Sequence, residues 1–227
     1  MDALGRWREL MASSGPNVAL DEGAFLLCGY AHPELDLDAE MTQLDELASR
    51  CPTNSAAALV AHLFVVEGFQ GNVGDYYDPR NSLMTDVLAR RLGIPISLSV
   101  LAMSVAHRAG IELLGIGLPG HFIVRDAYDP DTYFDPFNGG RVLDVAGCHG
   151  LVKSMSTAAA PVPFDPRWVA PVGTRMILTR MLANLRTIYE KKRDIGALMW
   201  VLQLRCAMPD ATDTDRRSLK SVAALLN

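Results

Sequence analysis

Apolar residues recur at helical spacing in three stretches of the first third of the chain. Val18, Leu20, Ala24 and Leu27 predict a helix from about Asn17 to Tyr30, with Asn17 as its N-cap and His32-Pro33 as its stop. A second helix is predicted from about Asp38 to Ser49 and is broken by Cys51-Pro52. A third, capped by Thr53 or Asn54, runs to about Glu67. Gly68 to Pro79 (GFQGNVGDYYDP) is too polar and Gly-rich to continue it. Asn81 or Ser82 then caps a helix to about Leu92, and Gly93-Ile94-Pro95 interrupts it. The most apolar helix follows, through Leu98, Leu101, Ala102, Val105 and Ala106. It closes at Gly110 with His107 and Arg108 in the last turn.

After Gly110 the period changes. Ile111 to Leu118, His121 to Arg125 and Thr132 to Asp135 read as strands, with a turn at Ala127 to Pro130. Asn138-Gly139-Gly140 turns the chain into Arg141-Val142-Leu143. The expected class is therefore α+β, an antiparallel meander behind one buried helix with helices flanking it. Ala159 to Pro171 is a Pro-rich linker. Beyond it helices are predicted near Thr174–Lys191, Ile195–Met208 and Thr212–Leu226, a tetratricopeptide-like succession without a full internal repeat. The domain expectation is a core over 1–158, a linker over 159–173 and a helical tail over 174–227.

Composition narrows the functional classes. With 227 residues, 49% of them hydrophobic, the chain buries roughly 70–75% of its unfolded surface and needs no disulfide or metal to fold. A net charge of −5, with both signs interspersed, supplies no basic footprint for nucleic acid. Cys28, Cys51, Cys148 and Cys206 are widely separated and form no CxxC pair. No His/Asp/Glu spacing suggests a metal site, and no Gly-rich loop leads from strand to helix to cradle a phosphate. No cofactor is expected. The opening MDALGRWRELMASS has no apolar stretch suited to a leader, and no uncharged run is long enough for a bilayer. No membrane association is expected, and the expected compartment is the cytoplasm.

The informative chemistry is His121 with Asp135. With a hairpin turn centred near Tyr128–Asp129, paired residue numbers sum to about 256 or 257, which sets His121 opposite Asp135 or Pro136. A carboxylate there orients the imidazole and supports a transient imidazolium. The competing reading is a structural His bonded to a local carbonyl and an Asp capping the turn before Pro136.

Four segments bear on this: Asp78-Pro79-Arg80-Asn81-Ser82; Arg91 to Ser99 (RLGIPISLS); Leu118 to Val124 (LPGHFIV); and Asp135 to Gly140 (DPFNGG). In this order and spacing they resemble the SirB family of bacterial proteins, within the transglutaminase-like superfamily, whose fold is similar to papain-type cysteine proteases. The resemblance covers about Leu20 to Val152, and the C-terminal helices are similar to the tetratricopeptide-type tail of many relatives. It implies a central helix on an antiparallel sheet, with a nucleophilic Cys at the helix N-terminus, a His from the next strands and an Asp after it. His121 and Asp135 match the last two, whereas Pro95 stands at the Cys position.

Ser97 is the hydroxyl nearest to Pro95, with Ser99 behind it. It is either a nucleophile served by His121 or a capping residue of the helix. Arg80 is a candidate fork for a carboxylate ligand, and Asn81 is a pocket residue or a helix cap. Tyr76 and Tyr77 are rim aromatics or loop packing. The adjacent Cys148 and His149 have nothing that aligns them with the central helix.

Two functional expectations follow. One is a protein that keeps the cleft for a small-molecule or peptide ligand, in a regulatory or scaffold role, with the C-terminal helices facing a protein partner. The other is a hydrolase or acyltransferase acting on an amide or acyl group, with His121 as general base on Ser97, a water or a substrate amine. Transglutaminase crosslinking itself is disfavoured, since it needs the thiolate.

Overall fold

The computed structural model describes residues 2–13, 15, 17–155 and 163–225. At its centre is α6 (Pro95–Arg108), which buries nearly every position, Ser97, Ser99 and Ser104 included. A helix apolar on all sides has to be surrounded, and α6 is. Pro95 opens it at the first turn, where a missing N–H leaves no bond unmade, and Gly110 ends it in a left-handed conformation (φ 75°).

On one side lies the four-stranded antiparallel sheet, in order β3 (Leu113–Ile116), β4 (Ile123–Asp126), β5 (Tyr133–Asp135) and β6 (Arg141–Leu143). This is the expected meander, but its register differs. Val124 pairs with Phe134 and Arg125 with Tyr133, so extending the ladder brings Asp135 opposite Ile123, not His121. Paired residue numbers sum to 258, so the turn between β4 and β5 is centred half to one residue further along the chain than expected.

On the other side are α2 (Leu20–Leu26), α3 (Leu37–Arg50), α4 (Ala56–Ala61) and α5 (Met84–Arg90). Several expected caps are corrected. The helix expected from Asn17 begins at Leu20 and tightens to a 3₁₀ turn over Leu27–Tyr30, and the Asn17 carboxamide oxygen accepts from the Thr174 N–H instead. Ser55 caps α4, not Thr53 or Asn54, and that helix runs on as a π-turn over His62–Val66. Neither Asn81 nor Ser82 caps α5, because Pro79–Asn81 forms a separate 3₁₀ turn capped by Asp78. The opening residues, given no element by the sequence reading, form α1 (Ala3–Ala12), with Trp7 and Met11 buried.

A small parallel pair, β1 (Gln70–Gly71) with β2 (Leu92–Gly93), draws the polar loop after residue 71 toward the head of α6. Beyond the sheet, α7 (Val145–Met155) carries Cys148 and Val152 into a satellite core with Ile116 and Tyr133. The linker expectation over 159–171 falls partly on residues 156–162, outside the described residues. Three helices then follow, α8 (Thr174–Lys192), α9 (Ile195–Cys206) and α10 (Asp213–Ala223). Leu226, the expected end of the last helix, lies outside the described residues.

The C-terminal helices share the main core. Ile177, Leu178, Met181, Leu182 and Leu185 of α8 are buried in the same cluster as Leu98 and Leu101. Burial of each such side chain contributes about 1.5–3 kcal/mol. Two indoles tie the chain ends together: Trp7 Nε1 donates to the Leu204 carbonyl at 2.9 Å and Trp200 Nε1 to that of Leu27 at 3.1 Å. Among the described residues no helix is long and apolar enough to cross a membrane.

Candidate functional site

Where the head of α6 meets the loop before β4, the surface opens into a cleft of about 120 Å³. Pro95, Ile96, Gly120 and Phe122 form the less polar part of its lining, and Tyr76, His121, Arg180 and Asn184 the polar part. Three segments distant in sequence therefore converge on the loop that carries His121.

That loop is built from the backbone upward. Gly120 sits at φ 72°, a conformation that favours glycine because it has no Cβ to clash. The His121 N–H donates to the Leu118 carbonyl at 3.2 Å. On the far side Ser99 of α6 donates to the Phe122 carbonyl at 3.3 Å, which pins the start of β4 to the central helix.

The imidazole so presented is 6% exposed. Its Nε2 lies 2.9 Å from Asp135 Oδ1, so the pair forms despite the shifted register; the two are diagonal neighbours on one face, within reach of a His. Asp135 is wholly buried, and its second oxygen accepts from Asn138 Nδ2 at 2.7 Å. Gly139 and Gly140, both at φ 73°, turn the chain back, and the Gly140 N–H donates to the Asp135 carbonyl. Burial pushes the Asp135 carboxyl up, but the bond and charge of His121 and the bonds from Asn138 outweigh it and hold the group below the usual carboxylate range. With Nε2 facing Asp135, Nδ1 has no bond to any described residue. Phe137 packs edge-on against the ring at 6.1 Å and against Tyr76 at 6.0 Å.

Ser97 does not join this pair. It is fully buried, and its Oγ accepts from the Ile94 N–H at 3.0 Å and donates to the Asn81 carbonyl at 2.5 Å. These are the bonds of a helix cap, made from the third position of α6 to the residue before it, and Ser97 is not part of the cleft lining. Pro95 is.

Of the other sequence candidates, Tyr76 lines the cleft. Tyr77 is half exposed with Lys191 Nζ 4.1 Å from its ring centroid. Arg80 turns its fork on its own neighbour: Nη2 lies 2.7 Å from Asp78 Oδ2 and Nε 3.1 Å from Oδ1. Asn81 is fully buried and staples the preceding loop, donating to the Asp75 carbonyl at 2.7 Å and accepting from Asn72 at 3.0 Å. Cys148 is buried beneath the sheet, where desolvation pushes its thiol up to about 12. His149 packs against Phe164, 5.2 Å between ring centroids. Among the described residues no group of three His, Cys, Asp or Glu is placed to hold a metal ion.

Arg180 and Asn184 are the residues that sequence reasoning missed. Arg180 Nη2 donates to the carbonyls of His121 at 3.1 Å and Leu118 at 3.3 Å, and its guanidinium lies 5.2 Å from the Phe122 ring centroid. It clips the His121 loop to α8. The only signal available in the sequence was a helical spacing of four between the two residues, which places them on one face of α8.

A buried helix on an antiparallel meander, with a His and an Asp converging near the helix N-terminus, is the architecture of the transglutaminase-like class. The transglutaminase-like superfamily model matches residues 32–183, and the chain belongs to that superfamily. Its homologues include UPF0162 proteins. One from Xylella fastidiosa (strain 9a5c) is 36% identical over 88% of this chain and 74% of its own, and one from Vibrio cholerae is 30% identical over 83% and 71%. Human F-box only protein 21 is similar over a shorter stretch, 34% identical over 55% of this chain and 20% of its own. No solved structure matches the chain.

Proposed function

We propose that this transglutaminase-like protein uses its cleft to bind a small-molecule or peptide ligand without forming a covalent bond to it. The observation that carries this reading is the pairing of a formed His121–Asp135 dyad with Pro95 at the head of α6 and a Ser97 hydroxyl engaged in the helix cap. Neither side chain at the head of α6 is a free nucleophile. The recurrence of the segment within the much longer F-box only protein 21 supports a binding module, and we read the chain as a SirB-type cytoplasmic member. Its three C-terminal helices, packed in succession, are then a tetratricopeptide-like surface for a protein partner. The test is to treat the protein with a fluorophosphonate and with an activated ester and to weigh it intact. No adduct is expected at Ser97; a stoichiometric Ser97 adduct overturns the reading.

A second reading rests on the dyad itself. With Nε2 held by Asp135, Nδ1 is left to take a proton from a water or a substrate amine in the cleft, which makes the protein an amide or acyl hydrolase or acyltransferase without a protein nucleophile. Turnover of an amide or ester library that disappears in His121→Ala supports it; an inactive wild-type protein across that library leaves the binding role alone.

A further inference from the structure

The polar lining of the cleft is unbalanced. It contains one cation, Arg180, and among its described lining residues no carboxylate. Among the described residues the one carboxylate of the site, Asp135, lies behind His121 and is engaged by His121 and Asn138. Arg180 forms no ion pair with a described residue; its hydrogen bonds go to two backbone carbonyls through a single nitrogen, Nη2. A guanidinium carries five N–H donors, so most of them remain. Burial lowers its pKa, yet an arginine stays charged in proteins, and a partly desolvated charge without a counterion favours an anion. Asn184, one turn further along α8, and the Tyr76 hydroxyl make no hydrogen bond to described residues.

Resting on the reading of the cleft as a binding site, we propose that its ligand presents a carboxylate on a short apolar stem, the carboxylate held by Arg180 and Asn184 beside His121. The geometry fits on three counts. Beyond the Nη2 that holds the loop, the guanidinium keeps an Nε–H and an Nη1 group, so one of these and the Asn184 amide can each bond one carboxylate oxygen. Pro95, Ile96 and Phe122 leave a small apolar strip beside the mainly polar lining, enough for a short stem. A space of about 120 Å³ takes a head group of a few heavy atoms. The carboxylate contact for which Arg80 was a candidate thus falls to Arg180, because Arg80 is neutralised by Asp78.

The test is an NMR titration of the full chain that follows the His121 ring signals and the Arg180 Nε–H. The probes are propionate, its neutral isostere propionamide, and N-acetyl-Ala-Gly, whose C-terminal carboxylate stands for a peptide end. Propionate is expected to bind saturably, with a dissociation constant on the order of millimolar for so small a ligand, and propionamide at least ten-fold more weakly. Arg180→Gln is expected to cost propionate ten-fold or more while leaving propionamide unchanged. N-acetyl-Ala-Gly binding tighter than propionate identifies a peptide end as the source, and weaker binding a free small acid. Because Arg180 also clips the His121 loop, Asn184→Leu is run in parallel; it removes one donor, keeps the clip, and is expected to weaken propionate at least three-fold. Equal binding of propionate and propionamide, or variants that leave propionate unaffected, overturns the carboxylate while leaving the cleft as a binding site. If none of the probes moves the His121 signals, the carboxylate inference falls; if a wider neutral fragment set also leaves them unmoved, the binding-site reading falls as well.

Discussion

Asp135 meets His121 at 2.9 Å from a wholly buried position, and the two come from segments that do not face each other directly across the ladder. The contact depends on the turn at Gly120 and on the Asn138–Gly140 turn that fixes the second carboxylate oxygen. It also makes the site sensitive to acid. The folded-state pKa of Asp135 lies below its unfolded value, so its contribution is fully present above the unfolded value, near pH 4, and is lost as pH falls through the folded value. Asp135→Asn is expected to cost about 1.5–3 kcal/mol at pH 7 and to flatten the loss of stability below about pH 4. Urea unfolding of both proteins between pH 2 and 7 measures this; parallel curves would refute it.

Ser97 behaves as a structural group. Replacing it with Ala leaves the Ile94 N–H and the Asn81 carbonyl without their buried partner, a loss of about 1–3 kcal/mol. The His121 ring signals are expected to stay where they are. A Ser97→Ala protein of wild-type stability, or one with a shifted His121 resonance, would contradict this assignment.

The thiols are expected to be unequal. Burial pushes Cys28 and Cys148 up to about 12 and raises Cys51 and Cys206 as well, which leaves few thiolates to react, so exposure decides between them. Cys206 is the one partly exposed cysteine. Iodoacetamide at pH 8 is expected to alkylate Cys206 first under native conditions, and the other three only after unfolding, as peptide mapping would show. Early labelling of Cys28 would count against the packing described.

The C-terminal helices are expected to be needed for folding of the rest. Leu178 is fully buried and presses on Gly23 of α2. Leu178→Ala is expected to lower stability by about 2–5 kcal/mol, in a single transition that also unfolds the sheet. Separate transitions for tail and core, seen by calorimetry, would show that the two are independent.

Much of this was legible in the chain itself. The long apolar run from Leu98 to Ala106, the break at Gly110 and the period-two segments after it define a buried helix and a meander, because these periods are local properties of the backbone. The His121–Asp135 pair was also legible, since a hairpin brings residues near its two ends together whether or not its register is known to the residue. Caps were less so. Ser97 and Asn81 are common capping residues, and which one caps depends on where a carbonyl sixteen residues away comes to rest.

What the sequence by itself determined is thus the type and order of most elements, with α1, α7 and the β1–β2 pair left out, and the proximity of His121 to Asp135, all of which depend on short-range pattern. Tertiary structure alone decided that Ser97 is engaged in the cap, that Arg80 is neutralised by Asp78, and that α1 packs its Trp7 against the C-terminal helices. It also decided that the cation of the cleft comes from α8. Arg180 lies about sixty residues from the carbonyls it holds, and on a helix read alone it is one more polar position. Its role comes from the packing of the apolar face of α8 on α2 and α6, which aims its polar edge at the loop of His121.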